Sequence, residues 1–381
     1  MKKVCFIATI SNTIEWFMLD QAKYLSENGF DVYIICNTDN NFRSKVPENI
    51  TYIPVPMKRG IDFSCIKSIF KMCSIFSKQK FDVIEYTTPN ASLYASVAGK
   101  VAGIHHRIYR QWGMVYIGFT GAKRQIFKLI EHITCLLSTY ILPDSFGNLK
   151  FCRENKFYNS EKSDVILSGS ACGINLNKFD IGKKNLWRKE LQTKYSIKND
   201  EFIIGYVGRI NRDKGINELL TAFKKFSDAY GNTKLFLVGM SDRENEIIPE
   251  FLLWAKTNEN VIFTGVTSET EKYYSLFDIY ILPSYREGFG STLIEAQAME
   301  VPIITTDIIG PSEAISPNKS GLLINPKSSD ELYMALEKLY KDKECRINFG
   351  KAGRLYVSEK FEQSKVFNAN LAFLNKLLNI K

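Results

Sequence analysis

The sequence predicts an α/β protein made of two doubly wound domains in tandem. Three features carry that expectation. Short apolar, β-branched runs alternate with amphipathic helical patterns along almost the whole chain. The alternation stops once, at the turn-rich stretch SGSACGINLNKFDIG (168–182), and restarts with FIIGYVG (202–208). A chain of 381 residues is also long enough for two domains of ordinary size, each with its own core.

In chain order, residues 4–8 and 31–36 read as strands around a helix near 17–28. Residues 65–79 and 122–139 carry amphipathic helical patterns. Residues 82–85 open another strand-helix unit, whose helix over 92–102 ends near Gly103. Beyond the break, strands are expected at 202–208, 234–239, 260–265, 278–284, 301–306 and 321–325. Helices are expected over INELLTAFKKF (216–226), EIIPEFLLWAKTN (246–258) and 291–299. The last helical pattern, 363–379, has no strand after it. The expected domains are 1–178 and 179–362, with 363–381 packing back on the first.

At 45% hydrophobic and 24% charged, the composition is that of a soluble globular protein rather than a disordered one. Net charge is +9, and residues 1–180 hold +7 of it, from 22 Lys/Arg against 15 Asp/Glu. Such a basic first half points to an anionic partner (membrane surface, phosphorylated substrate or nucleic acid) unless the lysines are simply solvated. Eight cysteines are scattered without a C-x-x-C pair or a Cys/His ligand spacing. That is cytosolic usage, not a disulfide framework or a zinc site. The opening MKKVCFIATISNTIEW is broken by Ser11, Asn12 and Glu15 and reads as a first strand, not a signal peptide. No uncharged apolar run approaches the roughly 18 residues of a membrane span, so the chain is not expected to cross one.

The chemistry gathers in SYREGFGSTLIEA (284–296). The apolar run 277–282 reads as a buried strand and 291–299 as a helix, with a glycine-rich turn between them. Free N–H groups and the helix dipole at such a turn attract a phosphate. Glu287 falls just outside the helix and Glu295 about one turn inside it. Carboxylates beside a phosphate site make sense when they accept hydrogen bonds from ribose or sugar hydroxyls. A second turn, GYVGRINRDKG (205–215), places Arg209 and Lys214 between a strand and the next helix. Ligands of open α/β sheets bind beyond the carboxyl ends of the strands, so both turns should converge on one crevice. Two cations and a helix N-terminus suit a diphosphate.

E-G-F-G-S-T-L-I-E fits the E-x7-E signature, and the chain resembles the retaining glycosyltransferases of family 4. The G-R-x4-K-G turn, SGSACGINLNKFD (similar to that family's N-G-V-D-L-x-x-F hinge) and VPIITTDIIGPSEAI occur in the family's order. The resemblance covers most of the chain, and the second half is the more specific. It implies the GT-B fold, two Rossmann-like doubly wound domains facing across a cleft. It also implies transfer from a nucleoside-diphosphate sugar, expected to be a UDP-sugar, to a saccharide on undecaprenyl diphosphate, as in bacterial capsule, O-antigen or glycan assembly. By the family's motifs, Arg209 and Lys214 hold the donor diphosphate, with Gly208 allowing close approach. Glu295 binds the ribose, and Glu287 contacts the donor sugar. Gly288, Phe289 and Gly290 shape the sugar pocket with their backbone, and Ser291 and Thr292 offer N–H groups to the phosphate. Arg209, Lys214 and Glu287 are the implied catalytic residues. No cofactor and no metal is implied: no strand ends in D-x-D, and the two cations with the helix dipole would stabilise the leaving group.

The first half departs from the family. In HHRIYRQWGMVY (105–116), Trp112 stands where many relatives carry a histidine. In the front-face mechanism attributed to retaining members, the leaving phosphate takes the acceptor's proton, so the replacement does not remove the chemistry. Trp112 reads either as a sugar-stacking platform or as a core residue. Arg107, Arg110 and Tyr116 are weaker acceptor-side candidates, and His105 and His106 read as structural. The patterns at 67–78 and 122–137 pair apolar faces with Lys67, Lys71, Lys123, Arg124 and Lys128. They fit either docking on an anionic inner-membrane surface or ordinary sheet cover. The resemblance therefore implies a cytoplasmic protein, peripheral on the inner face of the membrane. A dinucleotide dehydrogenase is excluded because IATISNTIEW holds no glycine for a G-x-G-x-x-G turn. No nucleic-acid motif accompanies the charge. A non-catalytic nucleotide-sugar-binding subunit is the alternative, although both glutamates and both cations are intact.

Overall fold

A computed structural model describes residues 1–58, 60 and 65–380. Lys381, the last residue of the expected 363–381 stretch, lies outside the described residues. The chain divides into two compact units, Met1–Cys172 with Ser364–Lys381, and Gly173–Gln363.

The first unit is a parallel sheet of β1 (Lys2–Ile7), β2 (Phe30–Cys36), β3 (Ile50–Pro54), β4 (Val83–Tyr86), β5 (His106–Gln111) and β6 (Tyr140–Pro143). Its order is β3-β2-β1-β4-β5-β6. Alternate residues of each strand face opposite sides. Val4, Phe6, Val32, Ile34, Val83 and Ile108 meet the helix Leu19–Glu27 on one side. Cys5, Ile7, Ile84, Tyr86 and Tyr109 meet the helices Cys65–Gln79, Pro89–Val101 and Gly121–Leu137 on the other. The C-terminal helix Gln363–Leu377 seats Leu374 in the first of these cores, and Phe373 packs 4.9 Å from Tyr140.

The second unit repeats the plan with β7 (Phe202–Val207), β8 (Thr233–Val238), β9 (Val261–Gly265), β10 (Ile279–Leu282), β11 (Ile303–Thr306) and β12 (Gly321–Ile324). The order is β12-β11-β10-β7-β8-β9, the doubly wound order read from its other edge. All six residues of β7 and all four of β10 are buried, as parallel strands covered on both faces must be.

Three expected helices start more than one residue from where the sequence places them. The one near 17–28 is two helices, Ser11–Phe17 and Leu19–Glu27, parted at Met18. Met18 between them leaves the helical range, at φ −126. The helices expected from 246 and 92 start at Pro249 and Pro89. Proline has no N–H to give and its fixed φ suits a first turn.

Candidate active site

β7 and β10 are neighbours at the place where strand order reverses, with β8 and β9 beyond one and β11 and β12 beyond the other. The loops leaving their carboxyl ends therefore diverge and open a crevice. After β7 come Gly208 and Arg209, then a 3-10 turn, Arg212–Lys214. The Asn211 side chain caps this turn by accepting from the Lys214 N–H at 3.2 Å. Gly215 follows at φ +71 and opens the helix Ile216–Ala229. A Cβ there would stand 2.0 Å from the carbonyl oxygen of Pro283, in the loop after β10, so the two loops touch only because the residue is glycine.

The loop after β10 supplies the complementary charge. Lys214 Nζ donates to Glu287 Oε1, and the Ser284 hydroxyl donates to the same oxygen at 2.7 Å. Both members of the ion pair are largely buried, with side chains 17% and 13% exposed. Arg209 is half exposed and lies 3.1 Å from Asp242. Asp213 ties Arg286 at 2.7 Å to Arg243 at 3.4 Å. Burial works to raise the Asp213 carboxyl, but these two guanidinium groups hold it below the usual range.

Gly290, at φ +89, starts the helix Ser291–Ala298, which no side chain caps. The N–H groups of Ser291 and Thr292, in its first turn, have no intrahelical acceptor and carry the positive end of the dipole. Phe289 sends its ring into the core, 5.1 Å from Phe361, which leaves its backbone and that of Gly288 in the turn. One turn into the helix, Glu295 accepts from the Tyr274 hydroxyl at 2.9 Å. Desolvation pushes its carboxyl up to about 7, against the lowering effects of Tyr274 and Lys178, with Glu271 adding to the rise.

The second unit thus gathers Gly208, Arg209, Lys214, Glu287, Gly288, Phe289, Gly290, Ser291, Thr292 and Glu295 on two loops and one helix. Their direct supports, Ser284, Asp242 and Tyr274, carried no sequence signal. Asn211 did, as an N-cap ahead of Lys214 in NRDKG.

The first-unit candidates separate. Arg107 is buried and donates to the carbonyls of Leu137 at 2.7 Å and Ile104. Arg110 forms a buried ion pair with Glu85 at 2.8 Å. Tyr116 is buried, its ring 5.7 Å from that of Phe157. The polar or aromatic groups of these three are engaged inside the unit. Trp112 is partly exposed, with its ring 5.5 Å from Phe17. His105 and His106 lie at the start of β5, at the opposite end of the strand from Trp112. At the carboxyl ends of β1 and β4, Thr88 adopts φ +67, costly for a β-branched residue. The Thr9 N–H holds it there by donating to its hydroxyl oxygen at 3.0 Å, and the two hydroxyls lie 2.7 Å apart. Among the described residues, no group of three or more His, Cys, Asp or Glu could hold a metal ion.

Residues 3–145 match a family model described as glycosyl transferase 4-like, and residues 188–356 match one described as glycosyl transferases group 1. The capsular polysaccharide biosynthesis glycosyltransferase CapM of Staphylococcus aureus is 31% identical over 378 residues, covering 99% of this chain and 98% of that protein. The chain belongs to glycosyltransferase family 4. The UDP-Gal:alpha-D-GlcNAc-diphosphoundecaprenol alpha-1,3-galactosyltransferase of Escherichia coli is 21% identical, covering 86% of this chain and 85% of its own. Among solved structures, Anabaena HepE in complex with UDP and glucose superposes with a TM-score of 0.82 at 16% identity, covering 99% of this chain and 100% of that one. A Rickettsia africae glycosyltransferase gives 0.79 at 20%, covering 100% and 99%. The fold is GT-B. In this glycosyltransferase, every second-unit site residue named above, from Gly208 to Glu295, falls within the matched segment 188–356.

Proposed function

We propose that this glycosyltransferase moves a sugar from a UDP-sugar to a saccharide carried on undecaprenyl diphosphate, in the assembly of a bacterial capsule, O-antigen or related glycan. Transfer retains the anomeric configuration and needs no metal ion. The observation that carries the reading is the Lys214–Glu287 pair joining the β7 and β10 loops, beside Arg209 and an uncapped helix start at Ser291. A diphosphate settling there draws Lys214 and Arg209 away from their carboxylates and receives the first-turn N–H groups. Glu287, still held by Ser284, is then free to accept hydroxyls of the donor sugar. Glu295 takes the ribose hydroxyls. The bond between the sugar carbon and the phosphate oxygen breaks, and the acceptor oxygen bonds to that carbon on the same face. The acceptor's proton passes to the departing phosphate, whose charge Arg209, Lys214 and the helix dipole stabilise.

Relatives support the choice of substrates. The Escherichia coli enzyme is named for UDP-galactose and a diphosphoundecaprenol acceptor. A Campylobacter jejuni relative, 25% identical over 364 residues, is named for a diphospho-undecaprenol acceptor as well. Trp112 remains the acceptor-side candidate.

Reversible attachment to an anionic inner-membrane surface is part of the proposal. No helix among the described residues is long and apolar enough to cross a membrane. The helices Cys65–Gln79 and Gly121–Leu137 both pack against Pro89–Val101, so they share one face of the first unit. They expose Phe70 (71%) and Leu136 (74%), with Ile66, Ile126 and Leu129. Lys67, Lys71, Lys123, Arg124 and Lys128 lie on the same two helices. Apolar side chains flanked by cations suit a surface of acidic headgroups.

The test is a panel of nucleotide sugars screened for thermal stabilisation, followed by turnover with a diphosphate-linked saccharide acceptor in excess EDTA. Stabilisation by UDP-sugars and persistent turnover are expected. Loss of turnover that magnesium restores would overturn the metal-free leaving-group site.

A further inference from the structure

The two residues immediately before Glu287 reach across to the neighbouring loop. Arg286 Nη2 donates to Asp213 Oδ2 at 2.7 Å, one residue before Lys214. The Tyr285 N–H donates to the Asp213 carbonyl at 2.9 Å. The Tyr285 hydroxyl lies 2.7 Å from both carboxylate oxygens of Glu218, in the first turn of Ile216–Ala229. Burial, and then the hydrogen bond to Glu218, push that hydroxyl up, so it stays neutral and donates. The β10 loop is thus fastened to the β7 loop and its helix by the side chains of Tyr285 and Arg286 as well as by the Lys214–Glu287 pair. These fastenings differ in one respect. A diphosphate that draws Lys214 off Glu287 competes for neither of the others, because their acceptors, Asp213 and Glu218, are anions that repel it. Ser284 holds the Glu287 carboxylate from within its own loop and does not fix that loop against the next.

We infer that Tyr285 and Arg286 are positioning residues that keep Glu287 in place for the donor sugar once the diphosphate has taken Lys214. The inference rests on the reading of Glu287 as a donor-sugar contact. Arg243 supplies an internal comparison. It also approaches Asp213 Oδ2, at 3.4 Å, but it stands in the loop after β8 and has Glu246 at 3.0 Å. Removing either arginine leaves the Asp213 carboxylate with one guanidinium and changes the net charge by one unit. Only the removal of Arg286 loosens the loop that carries Glu287.

The experiment compares wild type, R286M, R286K, R243M, Y285F and E287Q by UDP calorimetry and by steady-state transfer from a UDP-sugar. R286M and Y285F should bind free UDP within about twofold of wild type, because each removes one partly exposed contact and Asp213 keeps Arg243. Their kcat should fall roughly 10- to 100-fold, the cost of a displacement on the order of 1 Å at the reacting centre. R243M should keep the wild-type kcat, and R286K should recover most of it. Y285F deletes a single hydroxyl, so it carries the test even where R286M folds poorly. Equal losses of kcat in R286M and R243M would reduce Arg286 to part of the local charge and overturn the inference. Wild-type kcat in R286M and Y285F would overturn it too. The reading beneath fails separately: wild-type transfer by E287Q would remove Glu287 from the donor sugar. Collapse of transfer in E287Q with wild-type kcat in R286M and Y285F would remove the inference alone.

Discussion

Replacing Glu295 with glutamine should stabilise the ligand-free protein while weakening its hold on the nucleotide. In the folded protein, desolvation holds the Glu295 carboxyl at about 7, compared with an ordinary value of 4.5. The native state therefore keeps its proton longer than the unfolded chain, and stability falls as pH rises from about 4.5 to 7. A gap of about 2.5 units corresponds to roughly 3 kcal/mol, and partial exposure of the side chain reduces this to about 2 kcal/mol. Glutamine never ionises and can still accept from the Tyr274 hydroxyl, so it escapes that penalty. Above pH 7 the variant's transition should rise by about 4–8 °C, given about 2–4 °C per kcal/mol for a unit of this size. The gap should narrow toward pH 5. Calorimetric melting at pH 5 and pH 8.5 gives the stability arm. UDP titration gives the other: exchanging a charged acceptor for a neutral one should cost about 1–2 kcal/mol, roughly 5- to 30-fold in affinity. A variant that melts no higher than wild type at pH 8.5, or that binds UDP equally well, would refute the reasoning.

Three other perturbations address separate parts of the account. Glu287→Gln should bind free UDP roughly tenfold more tightly, because it frees Lys214 and removes a like charge worth about 1–3 kcal/mol at roughly 6 Å, while transfer collapses; weaker calorimetric binding would contradict this. Replacing Lys67, Lys71, Lys123, Arg124 and Lys128 with glutamine should weaken pelleting with anionic vesicles and spare UDP binding. Wild-type pelleting should also fall at 1 M salt, where the Debye length is about 3 Å, and equal pelleting of the substituted protein would leave these helices as sheet cover. Thr88→Gly should relieve backbone strain of about 1 kcal/mol, partly offset by loss of the hydroxyl contacts with Thr9, so melting should change by no more than a few degrees while any acceptor-side effect appears in KM; a large loss of stability would show that the Thr9–Thr88 contact outweighs the strain.

The second sheet was legible because parallel strands buried on two faces read as apolar runs, as FIIGYV and IYIL do, whereas in the first sheet β3 (ITYIP), β5 (HRIYRQ) and β6 (YILP) are too polar or too short to stand out. The two loops were legible because glycines at turns and paired cations leave marks in the sequence. What joins them was not. Lys214 and Glu287 are 73 residues apart, and their ion pair exists only because the β7 and β10 loops meet at Gly215 and Pro283. Tyr274 reads as one more core aromatic until its hydroxyl is seen on Glu295. The strain at Thr88 has no trace in a threonine codon. Arg107 and Arg110 show the converse: a cation in a strand reads as available in the sequence, whereas the fold engages these two with carbonyls and with Glu85.

The central claim is metal-free transfer with retention at a diphosphate site built from Arg209, Lys214, Glu287 and the helix start at Ser291. Its most direct measurement is the anomeric configuration of the product formed from an α-linked UDP-sugar and a diphosphoundecaprenol-linked saccharide in excess EDTA, read by proton NMR. An α-linked product from wild type, lost in R209A and K214M, is the predicted result. A β-linked product, or turnover unaffected by those two substitutions, would contradict the account.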